Sequence, residues 1–345
     1  MKKSIFVALA MLVAVVASAE DYKFSVQRIW QGDYCAFTSL EKFKGKYYCA
    51  FREGTAHYLD ANGVPTRGKA RIIMSKDGKK WESVALFEID SLDLRDPKLS
   101  IMPDGRMMVL MGGSTYEGKK VKNMYPQVAF TANGTEFTEL QPVKIDPAVC
   151  HNREWIWRVT WRNGTGYGVT YGSDYALLRT LDGINYSLVT RLDISNDPGE
   201  TTLRFTQNGK MLLMARCEGG NKRGVWGESK APYTQWTFKE MNIPLGGPDF
   251  FVKGDSTCIL SSRSLYAAEK TMIFRGDMNG NFEESFLLPS GGDDNSYTGM
   301  LVLGKEVWIT YYSRHETDKA SIYLARIPLS LLTNYKASKL YNQGF

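Results

Sequence analysis

Three arginines in the sequence stand at similar distances after a glycine. Arg52 and Arg216 each follow a turn glycine by 7 residues, and Arg263 follows one by 9 residues. A guanidinium donates in a planar fork that fits a carboxylate, so several around one anion fix its orientation. The spacing therefore predicts a carboxylate clamp, with structural salt bridging as the alternative. The candidate partners for such salt bridges are Glu53, Glu200 and Asp249.

A glutamate and a tyrosine form a second candidate constellation. Glu200 lies near the start of the strand that leads into the hairpin of Arg216, and Tyr297 has the equivalent place in a later copy of the pattern. A phenol with a pKa near 10 needs a neighbouring carboxylate as base before it can attack. A tyrosine nucleophile is an exception among glycosidases, and it avoids driving a carboxylate against an anionic substrate. The alternative is a structural role, in which the tyrosine hydroxyl only donates a hydrogen bond to the glutamate.

A histidine near the first arginine supports a rival chemistry. His57 closes the segment FREGTAH, residues 51–57, which also contains Arg52. A lyase that acts on a uronate needs a base for the C5 proton and a cation that neutralises the carboxylate. His57 and Arg52 with a tyrosine would serve, and a hydrogen-bonded structural histidine is the alternative.

Further polar and aromatic residues fall near the same strand ends. Aromatic rings stack on sugars and charged groups bond their hydroxyls, although structural ion pairs explain the charged residues almost as well. Glu154 and Trp155 belong to this group. The other candidate binding residues are Glu53, Arg95, Asp96, Arg158, Asp249, Tyr312 and His315.

The elements that must position these residues form a repeat of hairpins. Glycines at 45, 105, 164, 209, 254 and 304 each separate two short β-branched or aromatic runs, and helical periodicity is scarce. Repeats of 45 to 60 residues are typical of propeller blades. We predict an all-β fold, a six-bladed β-propeller with four-stranded antiparallel blades, with seven blades as the alternative. Equivalent strand ends then face one central pocket.

A second pattern recurs out of phase with the first. Residues 75–81 read S-x-D-G-x-x-W, and residues 131–137 and 180–186 are degenerate copies. Each copy offers an Asx side chain that caps backbone N–H groups, a glycine for positive φ and an aromatic ring that pins the hairpin. We expect a structural role, without catalysis or metal binding at Asp77.

These segments together resemble the sialidase superfamily, whose hairpins carry the Asp-box pattern of residues 75–81. PGETTLRFTQNGKMLLMAR (198–216), ILSSR (259–263) and GGDDNSYTGMLVLGKEVWITYY (291–312) are similar to its active-site segments. The resemblance covers most of the chain after residue 19. It implies Tyr297 as nucleophile with Glu200 as its partner. It implies Arg216 and Arg263 as the second and third arginines of the clamp.

The sequence departs from this family at two places. The segment that carries an Arg-Ile-Pro turn in sialidases reads Cys35-Ala36-Phe37-Thr38, so Arg52 on the partner strand is the candidate substitute. Sialidases also carry an aspartate acid/base before the first Asp-box. The candidate here is Asp60 in HYLDANG, although spacing alone does not prefer it to Asp96 or His57.

Composition limits the location and the partners of the protein. Residues 1–19 combine a basic start, an apolar run and Ala-Ser-Ala, which predicts a signal peptide cleaved after Ala19 and a secreted or periplasmic protein. We expect residues 20–345 to form one propeller domain without a membrane span. Five widely spaced cysteines indicate neither a disulfide scaffold nor a metal site. Dispersed charges with a net charge of +6 argue against nucleic acid and suit an acidic glycan, and no cofactor is expected.

We therefore predict a secreted hydrolase that releases sialic acid or a related ulosonic acid. Two alternatives stay open. One is a lyase or another hydrolase that acts on a uronate-containing glycan with His57. The other is a propeller that binds acidic glycans without turnover. The sequence does not distinguish the exact sugar, its linkage or the oligomeric state.

Overall fold

Six antiparallel sheets follow one another along the chain and form the blades of a propeller. The computed structural model describes residues 24–254, 256–265, 269–292 and 294–334. The predicted signal peptide lies outside the described residues. Each sheet has four antiparallel strands, and a fifth strand extends the second and the third sheet. The prediction of a six-bladed β-propeller is confirmed.

The first three blades take up residues 34–191. Blade 1 consists of β2 (Tyr34–Phe43), β3 (Lys46–Gly54), β4 (Lys69–Ser75) and β5 (Glu82–Phe87). Blade 2 consists of β6 (Asp93–Ile101), β7 (Met107–Glu117), β8 (Lys120–Met124), β9 (Gln127–Thr131) and β10 (Gln141–Pro142). Blade 3 consists of β11 (Lys144–Ile145), β12 (Trp155–Arg162), β13 (Thr165–Tyr171), β14 (Ala176–Thr180) and β15 (Asn185–Arg191), and a 3₁₀ turn spans Pro147–Val149.

The last three blades use the rest of the chain and its first strand. Blade 4 consists of β16 (Pro198–Phe205), β17 (Met211–Cys217), β18 (Arg223–Ser229) and β19 (Thr237–Pro244). Blade 5 consists of β20 (Asp249–Lys253), β21 (Thr257–Arg263), β22 (Thr271–Gly276) and β23 (Phe282–Leu287). Blade 6 consists of β24 (Ser296–Leu303), β25 (Glu306–Ser313), β26 (Ser321–Pro328) and β1 (Ser25–Gln31), and the helix α1 (Leu329–Asn334) follows β26.

The ring closes through the first strand of the chain. β1 pairs antiparallel with β26 as the outer strand of blade 6, so residues far apart in sequence complete one sheet. The first strands of successive blades, β2, β6, β12, β16, β20 and β24, contact one another in ring order and line the axis. Apolar side chains fill the space between neighbouring blades, as Phe250 and Trp226 do between blades 4 and 5. Radial repetition of the blades leaves only short sheet edges.

The repeated glycines occupy the turns between the first and second strands of all six blades. Their φ angles are positive, from +62° to +87°. A Cβ atom at five of them would meet nothing within 4 Å, and at Gly209 its nearest neighbour would be Arg162 at 3.2 Å. The turns therefore require glycine for its backbone conformation. The six predicted hairpins are all present.

The second pattern forms the turns from β4 to β5, from β9 to β10 and from β14 to β15, in blades 1 to 3. Asp77 accepts from the backbone N–H of Lys79 at 2.8 Å, and Asp182 accepts from Ile184 at 2.8 Å. A related turn in blade 5 was missed by sequence analysis. There Asp277 accepts from the N–H of Asn279 at 2.8 Å. The role of these side chains is to satisfy backbone donors.

Two further properties concern the helices and the cysteines of the described residues. No helix among them is long and apolar enough to cross a membrane. All five cysteines are free thiols, and four of them are buried, as expected for small apolar side chains.

Candidate active site

Bulges shape the end of the inner strands that lies opposite the glycine turns. In five of the six first strands, two residues face a single residue of the partner strand. A bulge bends a strand and re-aims its side chains. Three bulge residues, Phe37, Asp96 and Tyr297, have positive φ angles of +63°, +48° and +47°. Such angles are uncommon for residues other than glycine and mark this end as a candidate functional site.

A cavity of about 420 Å³ lies at this end of the axis. All six blades contribute side chains to its wall, and many of them are charged or aromatic. One representative from each blade, in chain order, is Phe37, Arg95, Trp155, Glu200, Arg263 and Tyr297. The prediction that equivalent strand ends face one pocket is confirmed.

Tyr297, Glu200 and Arg216 form a tight hydrogen-bonded group inside the cavity. The Tyr297 hydroxyl donates to Glu200 Oε1 at 2.6 Å. Arg216 Nη1 donates to the Tyr297 hydroxyl at 2.7 Å and to Glu200 Oε2 at 3.0 Å. Glu200 lies in the bulge of β16 that faces Arg216, so the predicted pairing across this hairpin is confirmed. The tyrosine proton thus has an acceptor and its oxygen has a cationic donor.

The backbone around this group holds it in place. The N–H of Gly247 donates to Glu200 Oε2 at 3.0 Å. Gly247 has a φ of +59°, and a Cβ there would lie 2.5 Å from the Tyr297 ring. Only glycine lets the chain approach the ring so closely.

Burial and charge set opposite directions for the two pKa values in this pair. Burial raises the pKa of Tyr297 well above the ordinary value, although Arg216 counteracts part of the effect. Burial also raises the pKa of Glu200, but the charge of Arg216 and the hydrogen bond from Tyr297 outweigh it, so this pKa lies below its ordinary value. The resting pair is a neutral phenol beside an ionised carboxylate. A phenol and its base must start from this state.

A second network links Arg263 to blades 1 and 2. Arg263 Nη1 donates to Asp294 Oδ1 at 3.1 Å, and Asp294 Oδ2 lies 2.7 Å from His57 Nδ1. Arg95 Nη2 lies 2.6 Å from His57 Nε2. The hydroxyls of Tyr34 and Tyr312 also donate to Asp294. Burial raises the pKa of Asp294, but these donors outweigh it and hold the pKa well below its ordinary value.

Several predicted site residues line the cavity and several do not. Asp60 lies in its own turn, where its Oδ1 accepts from Asn62 at 2.8 Å and Val64 at 2.9 Å. Tyr312 is buried beneath Asp294, and His315 contacts the Ser313 hydroxyl at 2.9 Å. The predicted residues that line the cavity are His57, Arg95, Asp96, Trp155, Glu200, Arg216, Arg263 and Tyr297.

Arg52 is placed differently from the other two arginines of the predicted clamp. Its side chain is fully buried, and its Nε donates to Asp93 Oδ1 at 2.8 Å. It also donates to Thr66 at 3.0 Å and to the carbonyl of Ala56 at 2.9 Å. Arg95, from the bulged strand β6, supplies the third arginine of the cavity instead.

The salt bridges predicted as the alternative are correct for one arginine only. Arg216 bonds Glu200, as stated above. The pairing of Arg52 with Glu53 is wrong, because Glu53 binds Arg71. The pairing of Arg263 with Asp249 is also wrong, because Asp249 is buried along the axis and binds Arg158 at 2.8 Å and Arg204.

Sequence analysis missed Asp294 and Phe37. Asp294 lies three residues before Tyr297 in a segment already singled out, so its carboxylate was a signal that could have been used. Phe37 was noted only as part of the segment that lacks an arginine. In the structure its ring lies 5.0 Å from the Tyr297 ring and 4.9 Å from the Arg95 guanidinium. Among the described residues, no group of three His, Cys, Asp or Glu could hold a metal ion.

Comparison with known proteins gives structural but not sequence relatives. No family model matches the chain. No curated protein matches it either. A protein of unknown function from Dyadobacter fermentans superposes with a TM-score of 0.74 at 16% identity, over 88% of this chain and 98% of that one.

Two glycosidases are also similar in structure. Trypanosoma rangeli sialidase, in complex with 2,3-difluorosialic acid as a covalent intermediate, has a TM-score of 0.63 at 11% identity, over 87% of this chain and 55% of that one. The present chain thus spans about half the length of that sialidase. Penicillium chrysogenum α-L-arabinanase complexed with arabinobiose has a TM-score of 0.65 at 14% identity, over 89% of this chain and 99% of that one. The chain adopts the sialidase-like six-bladed β-propeller fold.

Proposed function

We propose that the protein is a glycoside hydrolase that releases a terminal acidic sugar, sialic acid or a related ulosonic acid, through Tyr297 as nucleophile. The observation that carries the proposal is the hydrogen bond of 2.6 Å from the Tyr297 hydroxyl to Glu200, with Arg216 at 2.7 Å from the same oxygen. Both contacts lie in the central cavity. A nucleophile, its base and a stabilising cation are therefore already assembled.

The chemical step follows from these contacts. The Tyr297 oxygen forms a bond to the anomeric carbon while its proton passes to Glu200. The bond to the leaving oxygen breaks, and that oxygen takes a proton from a separate acid. Arg216 Nη1 stabilises the negative charge that develops on the phenolic oxygen, since it already donates there. Water then attacks the anomeric carbon, and Tyr297 recovers its proton from Glu200 as it leaves.

The choice of an acidic sugar rests on the cavity arginines and on the nucleophile. Arg95, Arg216 and Arg263 all reach the cavity wall. Guanidinium groups at several places around one cavity suit a carboxylate. A phenol activated by a neighbouring base also suits an anionic sugar, because it brings no negative charge of its own against the substrate, as a carboxylate would. Each of these arginines already contacts groups of the protein, so the substrate must compete for their donors.

The structural neighbours support a glycosidase and leave the charge of the substrate to experiment. One neighbour holds a sialic acid derivative, and another holds the neutral disaccharide arabinobiose. With the predicted signal peptide, the protein would act on glycans outside the cytoplasm.

A panel of fluorogenic glycosides tests the proposal. The purified protein is incubated with α-sialoside, β-glucuronide and α-L-arabinofuranoside of the same fluorophore, from acidic to neutral pH. We expect release from the sialoside and none from the arabinofuranoside. Release from the arabinofuranoside alone would contradict the acidic-sugar assignment, and no release from any glycoside would contradict hydrolysis.

A lyase is the second candidate, and one observation favours it. His57 lines the cavity and contacts Arg95, so a base and a carboxylate partner lie side by side. Elimination creates an unsaturated uronate that absorbs in the ultraviolet, whereas hydrolysis does not. Screening acidic polysaccharides by absorbance distinguishes the two reactions, and glycan binding without any product would support the non-catalytic alternative.

A further inference from the structure

His57 is held between two charged groups whose chemistry fixes its tautomer. Arg95 Nη2 lies 2.6 Å from Nε2, and Asp294 Oδ2 lies 2.7 Å from Nδ1. An arginine can only donate, so Nε2 must carry the lone pair. The proton therefore sits on Nδ1 and is donated to Asp294. The imidazole is neutral in the unliganded cavity, and its one acceptor is occupied.

The position of the imidazole relative to the nucleophile suits a role in the reaction. The Phe37 ring lies between them, 5.3 Å from the His57 ring and 5.0 Å from the Tyr297 ring. A sugar that rests over Phe37 would have Tyr297 on one side and His57 on the other. The Tyr58 ring stacks on His57 at 4.0 Å and limits its rotation.

The proposed reaction needs a group that protonates the leaving oxygen and later activates water. Asp60 is engaged in its own turn, outside the cavity wall. Asp96 lines the cavity, but its carboxylate is already engaged, because it accepts from Trp157 Nε1 at 3.3 Å and lies 3.8 Å from Lys98 Nζ. The His57 side chain is 29% exposed, so it can meet a leaving group that extends toward solvent.

We propose that His57, oriented by Asp294, is the acid/base catalyst. When Arg95 binds the carboxylate of the substrate, it gives up its contact with His57 Nε2. This inference rests on the proposed function. The released Nε2 takes a proton from solvent and gives it to the leaving oxygen as the glycosidic bond breaks. Neutral His57 then takes a proton from the attacking water. Each proton is returned, so the cycle balances.

The charges around His57 explain why the imidazole can be protonated only after Arg95 has given up its contact with it. Burial lowers the pKa of His57, and Arg95 lowers it further, while Asp294 acts in the opposite direction. The charge of Arg52 also lowers this pKa, and the rings of Tyr34 and Tyr58 flank the imidazole at centroid distances of 5.9 and 4.0 Å. Once a substrate carboxylate occupies Arg95, its positive charge is neutralised and the imidazole can be protonated. The acid form is therefore made when an anion is bound.

Two substrates with different leaving groups test the catalytic role. An aryl sialoside needs little acid assistance, whereas sialyl-lactose needs a proton on its leaving oxygen. For His57→Gln and His57→Ala we expect kcat/KM toward sialyl-lactose to fall roughly 10²- to 10⁴-fold. We expect the aryl sialoside to lose about tenfold or less, because proton transfer contributes little to that step. Added azide should raise turnover of the aryl substrate by His57→Ala.

The controls separate this inference from the proposed function. His151 pairs with Asp174 at 3.0 Å outside the cavity, so His151→Ala should leave kcat/KM unchanged for both substrates. Inactivity of the wild type toward both substrates would contradict the proposed function itself. Equal losses for both substrates in folded His57 variants, or dependence on the leaving group in Asp96→Asn instead, would overturn the assignment of His57.

Nuclear magnetic resonance tests the release by Arg95. The sequence has 3 histidines, so the imidazole signals can be assigned with single variants. We expect the pKa of His57 to rise when free N-acetylneuraminic acid binds, and to rise without ligand in Arg95→Met. An unchanged pKa of His57 on binding would overturn the release step, whatever the kinetic result.

Discussion

The two ends of the inner strands differ in how they leave regular geometry. At one end, six glycine turns repeat with positive φ and support the blades. At the other end, four of the five bulges place an aromatic or charged residue in the cavity wall, and three of these residues, Phe37, Asp96 and Tyr297, have positive φ without being glycine. The same repeat thus gives a relaxed end and a strained end. The candidate chemistry lies at the strained end.

Hydrogen bonds and ring contacts hold the strained bulge residues in place. A non-glycine residue in this region costs about 1 to 3 kcal/mol and persists only where its surroundings hold it. Tyr297 is held by Glu200 and Arg216, and the Phe37 ring packs edge-on against the rings of Tyr297 and Tyr312 at 5.0 and 5.4 Å. The contacts that stabilise the strained backbone are the same contacts that build the candidate active site.

The largest expected effect is at the strained end. Tyr297→Phe keeps the ring but removes the oxygen that we propose as nucleophile, so kcat should fall roughly 10³-fold or more. Tyr175→Phe is the matched control, since its hydroxyl bonds Thr201 at 2.6 Å outside the cavity wall. Tyr175→Phe should lose about 1 kcal/mol of stability and Tyr297→Phe about 2 kcal/mol, because their hydroxyls make one and two hydrogen bonds. Steady-state kinetics and thermal melts check this, and comparable turnover in the two variants would contradict the role of Tyr297.

Arg216→Lys should show that the cavity needs the guanidinium fork and not only its charge. We expect affinity for the acidic sugar to fall about ten- to a hundredfold, because a charge-assisted hydrogen bond contributes about 1.5 to 3 kcal/mol. Arg223→Lys is the control, since Arg223 pairs with Glu240 at 3.2 Å on the surface. Titration calorimetry measures both variants. A clear drop in melting temperature with unchanged affinity would indicate a structural salt bridge instead.

The pH dependence of the reaction should report the ionisation of Glu200. Burial raises its pKa, but Arg216 and Tyr297 outweigh burial and depress it. The base is therefore ionised above its depressed pKa and is lost as pH falls through that value, below the ordinary value of about 4.3. In Arg216→Met, burial is no longer compensated, so the acidic limb of kcat/KM should move to higher pH. Profiles of kcat/KM are measured for both proteins from about pH 3 to 7. An acidic limb at the same pH in the wild type and in Arg216→Met would contradict Glu200 as the base.

The smallest expected effect is at the relaxed end. Gly209→Ala places a Cβ on a residue with φ of +87°, which should cost about 1 to 2 kcal/mol of stability and leave kcat/KM unchanged. Gly291→Ala adds the same methyl group in ordinary contact with His315 at 3.7 Å, and serves as the control for stability. Thermal melts measure the difference. Loss of turnover in Gly209→Ala would show that the two ends are not independent.

The sequence predicts the relaxed end well because its signals are local. A turn with positive φ calls for glycine, and that requirement is visible in each repeat without knowledge of its neighbours. The strained end depends on contacts between blades. Arg52 and Arg216 have the same offset from their glycines, yet Arg52 bonds Asp93 of the next blade while Arg216 enters the cavity. Offsets along one strand cannot show which neighbouring blade supplies the partner.

The same reason explains Asp294 and Asp60. Asp294 joins blade 6 to His57 of blade 1, a contact that exists only because the ring closes. Asp60 was placed by resemblance to a family segment, and in the structure its carboxylate caps a turn. Tyr297 and Glu200 were predicted correctly as neighbours because both stand at equivalent places in their repeats.

The most direct test of the account is to trap the nucleophile. The protein is incubated with 2,3-difluorosialic acid, digested, and its peptides are analysed by mass spectrometry, with Tyr297→Phe in parallel. We expect one sugar adduct on Tyr297 in the wild type and none in the variant. An adduct on another residue, or hydrolysis of sialosides without any adduct on Tyr297, would contradict the claim that Tyr297 attacks the sugar.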